Sequence, residues 1–210
     1  MKIEKISDIY EVLKGYTRKK RLVVAFANDS HSIEAVYMAV KAGLVEGILV
    51  GDTETIQGVC KENGYDESCF KIVHEPNDVR GAETAVEMIR NGEADVIMKG
   101  LVSTDKYMRA ILNKERGLVA PNAILSHVVV MECSSYHKLL TVSDVAVIPC
   151  PDLNQKISMI KYVTITAKAL GVEKPKVAML RRNRCCLKCS LRSMLPSCRR
   201  WESGDRSQGA

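Results

Sequence analysis

No apolar run in this 210-residue chain exceeds strand length, which leaves no stretch of about 20 residues to cross a bilayer as a helix. The opening Met1-Lys2-Ile3-Glu4-Lys5 holds no apolar signal core, so no secretory leader is expected. Neither a G-x-G-x-x-G turn nor a P-loop lysine occurs, which removes the usual dinucleotide and nucleotide fingerprints. There is no internal repeat and no low-complexity linker.

The body of the chain also lacks net charge. The formal charge is +6, but residues 181–210 hold eight basic side chains against Glu202 and Asp205, which is the whole excess. The first 180 residues carry 23 groups of each sign. A nucleic-acid binder needs a basic stripe, so no nucleic-acid partner is expected. Cys60, Cys69, Cys133 and Cys150 show no metal-ligand spacing and read as reduced, buried cysteines of a cytoplasmic protein. Cys185, Cys186, Cys189 and Cys198 crowd into the last thirty residues. Cys186 and Cys189 form a CxxC, but a zinc site normally takes two spaced ligand pairs and no histidine is nearby. No metal is assigned.

What is present is a core-forming composition, 46% hydrophobic with mixed charge. An opening helix fits 7–14. Strand patterns at 21–27, 46–50, 70–74 and 95–99 then alternate with helix patterns, at close to thirty residues per unit. That rhythm predicts βαβ units and a parallel sheet with helices on both faces, an α/β fold. From Ala120 the rhythm changes. Strand patterns at 123–131 and 139–148, separated by a short polar stretch, predict a hairpin-like, antiparallel insertion. A long helix over 153–170 and a further strand at 176–180 follow. The expected division is an α/β domain over 1–122, the start of a second domain over 123–180, and a tail over 181–210. Met38, Met88, Met98, Met108 and Met131 read as core filler.

Chemistry concentrates between Ala94 and Lys156. The apolar run Asp95-Val96-Ile97-Met98 stops at Lys99-Gly100, and Ser103-Thr104-Asp105 opens a helix. In an open parallel sheet, ligands bind at the carboxyl ends of the strands. Helix-start amides with a lysine beside them suit a phosphate, and Thr104 is the expected cap. The bland alternative is an ordinary strand-to-helix turn. Asn28-Asp29-Ser30-His31 and Gly51-Asp52-Thr53 either line the same crevice or simply cap helices. Ser126 and His127 are adjacent in a strand pattern and point to opposite faces, which disfavours a catalytic dyad but lets one of them line a ligand. Asp144 is either a turn residue or a site carboxylate, and His137 is expected to be exposed.

Taken together, ADVIMKGLVSTDKYMRAILNKERGL, ILSHVVV and YHKLLTVSDVAVIPCPDLNQKISMI resemble the phosphate acetyl/butyryltransferase family, its phosphate butyryltransferase branch most of all, over about residues 1–180. The resemblance implies transfer of an acyl group between coenzyme A and inorganic phosphate, with acyl-CoA, phosphate and acyl phosphate as partners. Coenzyme A would be a substrate and no other cofactor is needed. It also implies a fold similar to the isocitrate and isopropylmalate dehydrogenases, with an inserted second domain and assembly as dimers. By position, Lys99, Gly100, Thr104, Ser126, His127, Asp144 and Pro151-Asp152 would line the interdomain cleft.

The chain departs from that pattern in two places. Val147-Ile148-Pro149 stands where many relatives carry an asparagine. The later Ser-Arg-x-Asp-like segment, which the resemblance would make the group that positions the thiol and accepts its proton, has no counterpart. The expected catalytic residues are therefore unassigned, the second domain is expected to be incomplete, and little transferase activity is expected. The change of character after Leu180 predicts a disordered tail produced by a frameshift. Alternatives from other classes are an acyl-carrier-protein-dependent phosphate acyltransferase, a dehydrogenase of the same fold without its metal-binding aspartates, and a non-catalytic fragment that binds phosphate or coenzyme A.

Overall fold

The computed structural model describes residues 3–180; the expected tail, with its CxxC and frameshift, lies outside them. Helix α1 covers Ile6–Lys14. Strand β1 (Lys20–Ala25), helix α2 (Ser30–Lys41), β2 (Val45–Gly51) and α3 (Thr53–Asn63) follow, then a single 3-10 turn, β3 (Phe70–His74), α4 (Asp78–Arg90), β4 (Val96–Lys99) and α5 (Thr104–Leu112). The four strands form one parallel sheet in the order β3-β2-β1-β4. The predicted α/β architecture is therefore present, with boundaries within one or two residues.

The central strands β1 and β2 are buried on both faces over their later residues, which is why they read as continuous apolar runs. On one face Val24 and Leu49 pack with Ile33 and Val36 of α2 and Ile56 of α3. On the other, Val23, Ala25, Ile48 and Val50 pack with Ala82, Ala85 and Val86 of α4 and Ala110 of α5. Each fully buried Val, Leu or Ile contributes about 1.5–3 kcal/mol. Helix starts follow the expected chemistry: Asp29 accepts from the Ser32 amide at 2.8 Å, and Asp52 accepts from the Thr55 amide at 3.0 Å and its hydroxyl at 2.6 Å.

Beyond α5 the chain forms a short antiparallel pair, β5 (Val129–Met131) with β6 (Leu140–Val142), and the helix α6 (Leu153–Ala169). The antiparallel pairing is as predicted, but both strands are three residues long rather than nine or ten. The reason is competition for backbone groups. The Tyr162 hydroxyl donates to the Ile124 carbonyl at 2.8 Å, and the Asp144 carboxylate takes the amides of His127, Ala146 and Val147. Those groups are then lost to a ladder. The strand expected at 176–180 does not form, and Leu180 is 92% exposed.

Three smaller expectations also fail. Met38 is 64% exposed and Met131 lies at the surface, so only Met88 of the five is a buried core residue. Of the four body cysteines, Cys60 alone is buried and Cys150 is exposed. Ser103, not Thr104, caps α5.

Candidate functional site

The sheet order reverses between β1 and β4. From β1 the chain runs outward through β2 to β3 with α2 and α3 on one face; β4 returns to the other side of β1 with α4 and α5 on the opposite face. The crevice beyond the carboxyl ends of two such strands is where this class of sheet binds ligands. Lys99 ends β4 and is the register partner of Ala25, which ends β1.

The two strand ends are tied together. The Gly100 amide donates to the Ala25 carbonyl at 3.0 Å and the Leu101 amide to the Phe26 carbonyl at 2.7 Å. A Cβ at Gly100 would overlap the Phe26 carbonyl oxygen, so glycine is required for the approach. Phe26 itself has φ +63°, a left-handed conformation that is costly for a bulky residue and that tends to occur at functional sites. On the β2 side Asn28 Oδ1 accepts from the Asp52 amide at 2.9 Å. Asn28, Asp29 and Asp52 thus act as caps and braces, the second of the two readings their sequence allowed.

Lys99 is exposed. Its ammonium meets only the neighbouring Gly100 carbonyl, at 3.4 Å, and has no carboxylate partner among the described residues. The start of α5 lies four residues on. Ser103 Oγ accepts from the Lys106 amide at 3.4 Å, a long cap bond. Thr104 is the first helical residue and is exposed. Lys106, by contrast, is paired with Asp78 at 2.6 Å, and that hydrogen bond holds the Asp78 carboxyl below its ordinary range. The uncommitted cation of this turn is therefore Lys99, next to helix-start amides that carry partial positive charge.

A second polar cluster lies between the segment preceding β5 and the end of β6. Ser126 Oγ is 2.9 Å from both Asp144 Oδ2 and Ser143 Oγ. A carboxylate only accepts, so the Ser126 hydroxyl donates to Asp144 and the Ser143 hydroxyl donates to Ser126. Asp144 also accepts from the His127 amide at 3.1 Å and from the Ala146 and Val147 amides at 2.8 Å each. Burial works to raise the Asp144 pKa, but the amides of Val147, Ala146 and His127 and the Ser126 hydroxyl outweigh it and hold the group well below the usual carboxylate range.

The structure thus assembles Ser126, Asp144 and the His127 backbone. It does not make a Ser126–His127 dyad, and the His127 ring is exposed. Among the described residues, no hydrogen bond or ion pair joins Lys99, Gly100 or Thr104 to Ser126, His127 or Asp144. Sequence reading missed Ser143 and the Tyr162 tie; the run Thr141-Val142-Ser143-Asp144, small and hydroxyl-bearing before a carboxylate, was the available signal for the first. The broad groove between α4 and α5, lined in part by Arg80, Arg90, Lys106, Arg109 and Arg116, lies on the flank and not at the strand ends. Among the described residues no three His, Cys, Asp or Glu side chains converge as metal ligands, and no helix is long and apolar enough to cross a membrane.

Parallel sheet, switch-point crevice and an uncommitted lysine at a helix start define an α/β protein suited to an anionic ligand. Solved structures with this fold include a branched-chain phosphotransacylase from Enterococcus faecalis (TM-score 0.61, 23% identity, 74% of this chain and 54% of that one). A phosphotransacetylase from Streptococcus pyogenes gives a TM-score of 0.64 at 18% identity, over 80% of this chain and 60% of that one. The phosphate acetyl/butaryl transferase family model matches residues 78–182, and the chain belongs to that family. Among curated relatives, the phosphate butyryltransferase of Clostridium acetobutylicum is 40% identical over 176 residues, 84% of this chain and 58% of the relative. The phosphate acetyltransferase of Thermotoga maritima is 34% identical over 175 residues, 83% of this chain and 58% of the relative. The chain spans somewhat more than half the length of the relatives it matches.

Proposed function

We propose that this chain supplies the phosphate-binding part of an acyltransferase of the phosphate butyryltransferase kind, exchanging an acyl group between coenzyme A and inorganic phosphate. The observation that carries this reading is Lys99: a cation without a carboxylate partner, at the carboxyl end of β4, at the switch point, against the start of α5. Family membership supports the same reading. Gly100 lets the backbone close over β1, and Lys99, Gly100 and Thr104 together hold the phosphate. Ser126, His127 and Asp144 form the facing wall. Asp144 fixes that wall, and the exposed His127 ring is its group free to meet a ligand.

The coenzyme A thiolate attacks the acyl phosphate carbonyl and phosphate leaves with the bonding electrons. The chain's part is to hold the phosphate in line and to balance the charge that develops on the leaving oxygen. Residues 1–122 form the first domain, and 123–180 belong to the second. Coenzyme A acts as substrate, no further cofactor is used, and the protein works in the cytoplasm as a homo-oligomer.

Inorganic phosphate is the probe. Millimolar phosphate raises the melting temperature of the 210-residue chain, and Lys99→Ala removes most of that rise. A wild-type melting temperature indifferent to phosphate overturns the assignment.

A further inference from the structure

Phe26 follows β1 directly and breaks its pattern. In a parallel sheet the carbonyls of consecutive residues point to opposite neighbouring strands. The Ala25 carbonyl faces β4, where it accepts from the Gly100 amide at 3.0 Å. A regular strand would then aim the Phe26 carbonyl at β2. Instead it also faces the β4 side and accepts from the Leu101 amide at 2.7 Å. The Ala27 amide takes the β2 side and donates to the Val50 carbonyl at 2.7 Å. The Phe26–Ala27 peptide is thus turned over, and φ +63° at Phe26 is what turns it.

That region is disfavoured for a residue with a Cβ, so something holds Phe26 there. The ring does. It packs against the cluster that contains Ala82, Ala85 and Val86 of α4. Gly81 of α4 leaves room for it, since a Cβ there would lie 3.3 Å from ring carbon Cδ2. The effect reaches Lys99. The Leu101 N–H and the Gly100 C=O belong to one peptide unit, so holding the amide on Phe26 turns the Gly100 carbonyl away from β1. That carbonyl accepts from the Val102 amide at 2.9 Å and from the Lys99 ammonium at 3.4 Å.

We infer that Phe26 is a positioning residue: its left-handed backbone, pinned by its ring, sets the Lys99-Gly100-Leu101 turn before any ligand arrives. Its part in binding rests on the phosphate reading of Lys99, and it lies in preorganisation of that site.

The test compares two variants that lose the same ring. Phe26→Ala keeps a Cβ and relaxes toward an extended backbone, whereas Phe26→Gly adopts positive φ freely. In the ligand-free 210-residue chain, the Leu101 amide of Phe26→Ala is expected to exchange with solvent about tenfold faster than that of Phe26→Gly. Phe26→Ala is also expected to bind inorganic phosphate about fivefold more weakly than Phe26→Gly, because only part of its population holds the competent turn. A role in packing alone makes the two variants alike. Equal Leu101 exchange in the two overturns the inference, as does equal phosphate affinity. Circular dichroism checks that both fold. If either does not, the wild-type chain decides: a Leu101 amide that exchanges as fast as an unprotected peptide overturns the inference, and a protected one upholds it. A wild-type chain indifferent to phosphate, with Leu101 exchange in the expected order, overturns the ligand reading and upholds the hold of Phe26 on the turn.

Discussion

Residues 20–112 and residues 123–180 are held together by different forces. In the sheet half, Val23, Val24, Ile33, Leu49 and Ile56 have no accessible surface, enclosed between the sheet and the helices on its two faces. In the hairpin–helix half a single side chain, Met159, is buried, while one carboxylate, Asp144, gathers four hydrogen bonds. The first half is ordered by area removed from water and the second by a polar clasp. The family match, residues 78–182, straddles both, so shared ancestry says nothing about which kind of physics holds a given segment.

The sharpest way to break the contrast is a pair of truncations. Leu49→Ala removes a fully buried side chain and lowers global stability by about 2–5 kcal/mol, whereas Ile165→Ala stays within about 0.5 kcal/mol; urea denaturation measures both. If the two costs are equal, the halves are one cooperative unit. Gly100→Ala comes next. Its methyl meets the Phe26 carbonyl, and the expected cost is about 1–3 kcal/mol, with loss of the phosphate effect on melting. Lys99→Ala leaves stability unchanged but weakens phosphate binding by about 10- to 100-fold, the value of one charge-assisted hydrogen bond of about 1.5–3 kcal/mol, read by calorimetric titration.

Acid separates the halves by mechanism. The Arg21 side chain and amide hold Asp95 down to about 2, and the hydrogen bonds just described depress Asp144 as well. A carboxyl whose folded pKa lies below its unfolded value adds stability above the unfolded value, about 3.9, and loses it as pH falls through the folded one. Both halves therefore loosen below about pH 4. In Asp144→Asn the hairpin region loses that dependence while Asp95 keeps its own, which site-resolved NMR titration shows. Ser103→Ala costs only about 0.5 kcal/mol, because its cap bond is long.

Much of the sheet half was legible because its code is local. Alternating apolar runs and helix starts such as Asp29 before α2 and Asp52 before α3 are written within ten residues. Lys99-Gly100 was legible for the same reason, as an apolar run that stops at a charge. The hairpin half was not, because its structure depends on partners far apart in sequence. Asp144 reaches back 18 residues to Ser126, and Tyr162 reaches 38 to Ile124. Residues 124–127 and 144–148 carry strand-like composition, yet side chains took their backbone groups. Thr104 lost the cap to Ser103 by one position, an offset that composition does not resolve.

The pairing of β1 with β4 sets a clock on biosynthesis. Leu22 lies opposite Val96, 74 positions later. A ribosome adding roughly 5–20 residues per second needs on the order of 4–15 seconds to deliver that neighbour. During that interval the central strand has β2 on one flank and nothing on the other, so the nascent chain spends seconds with its most hydrogen-bond-hungry edge open to chaperones or to other nascent chains.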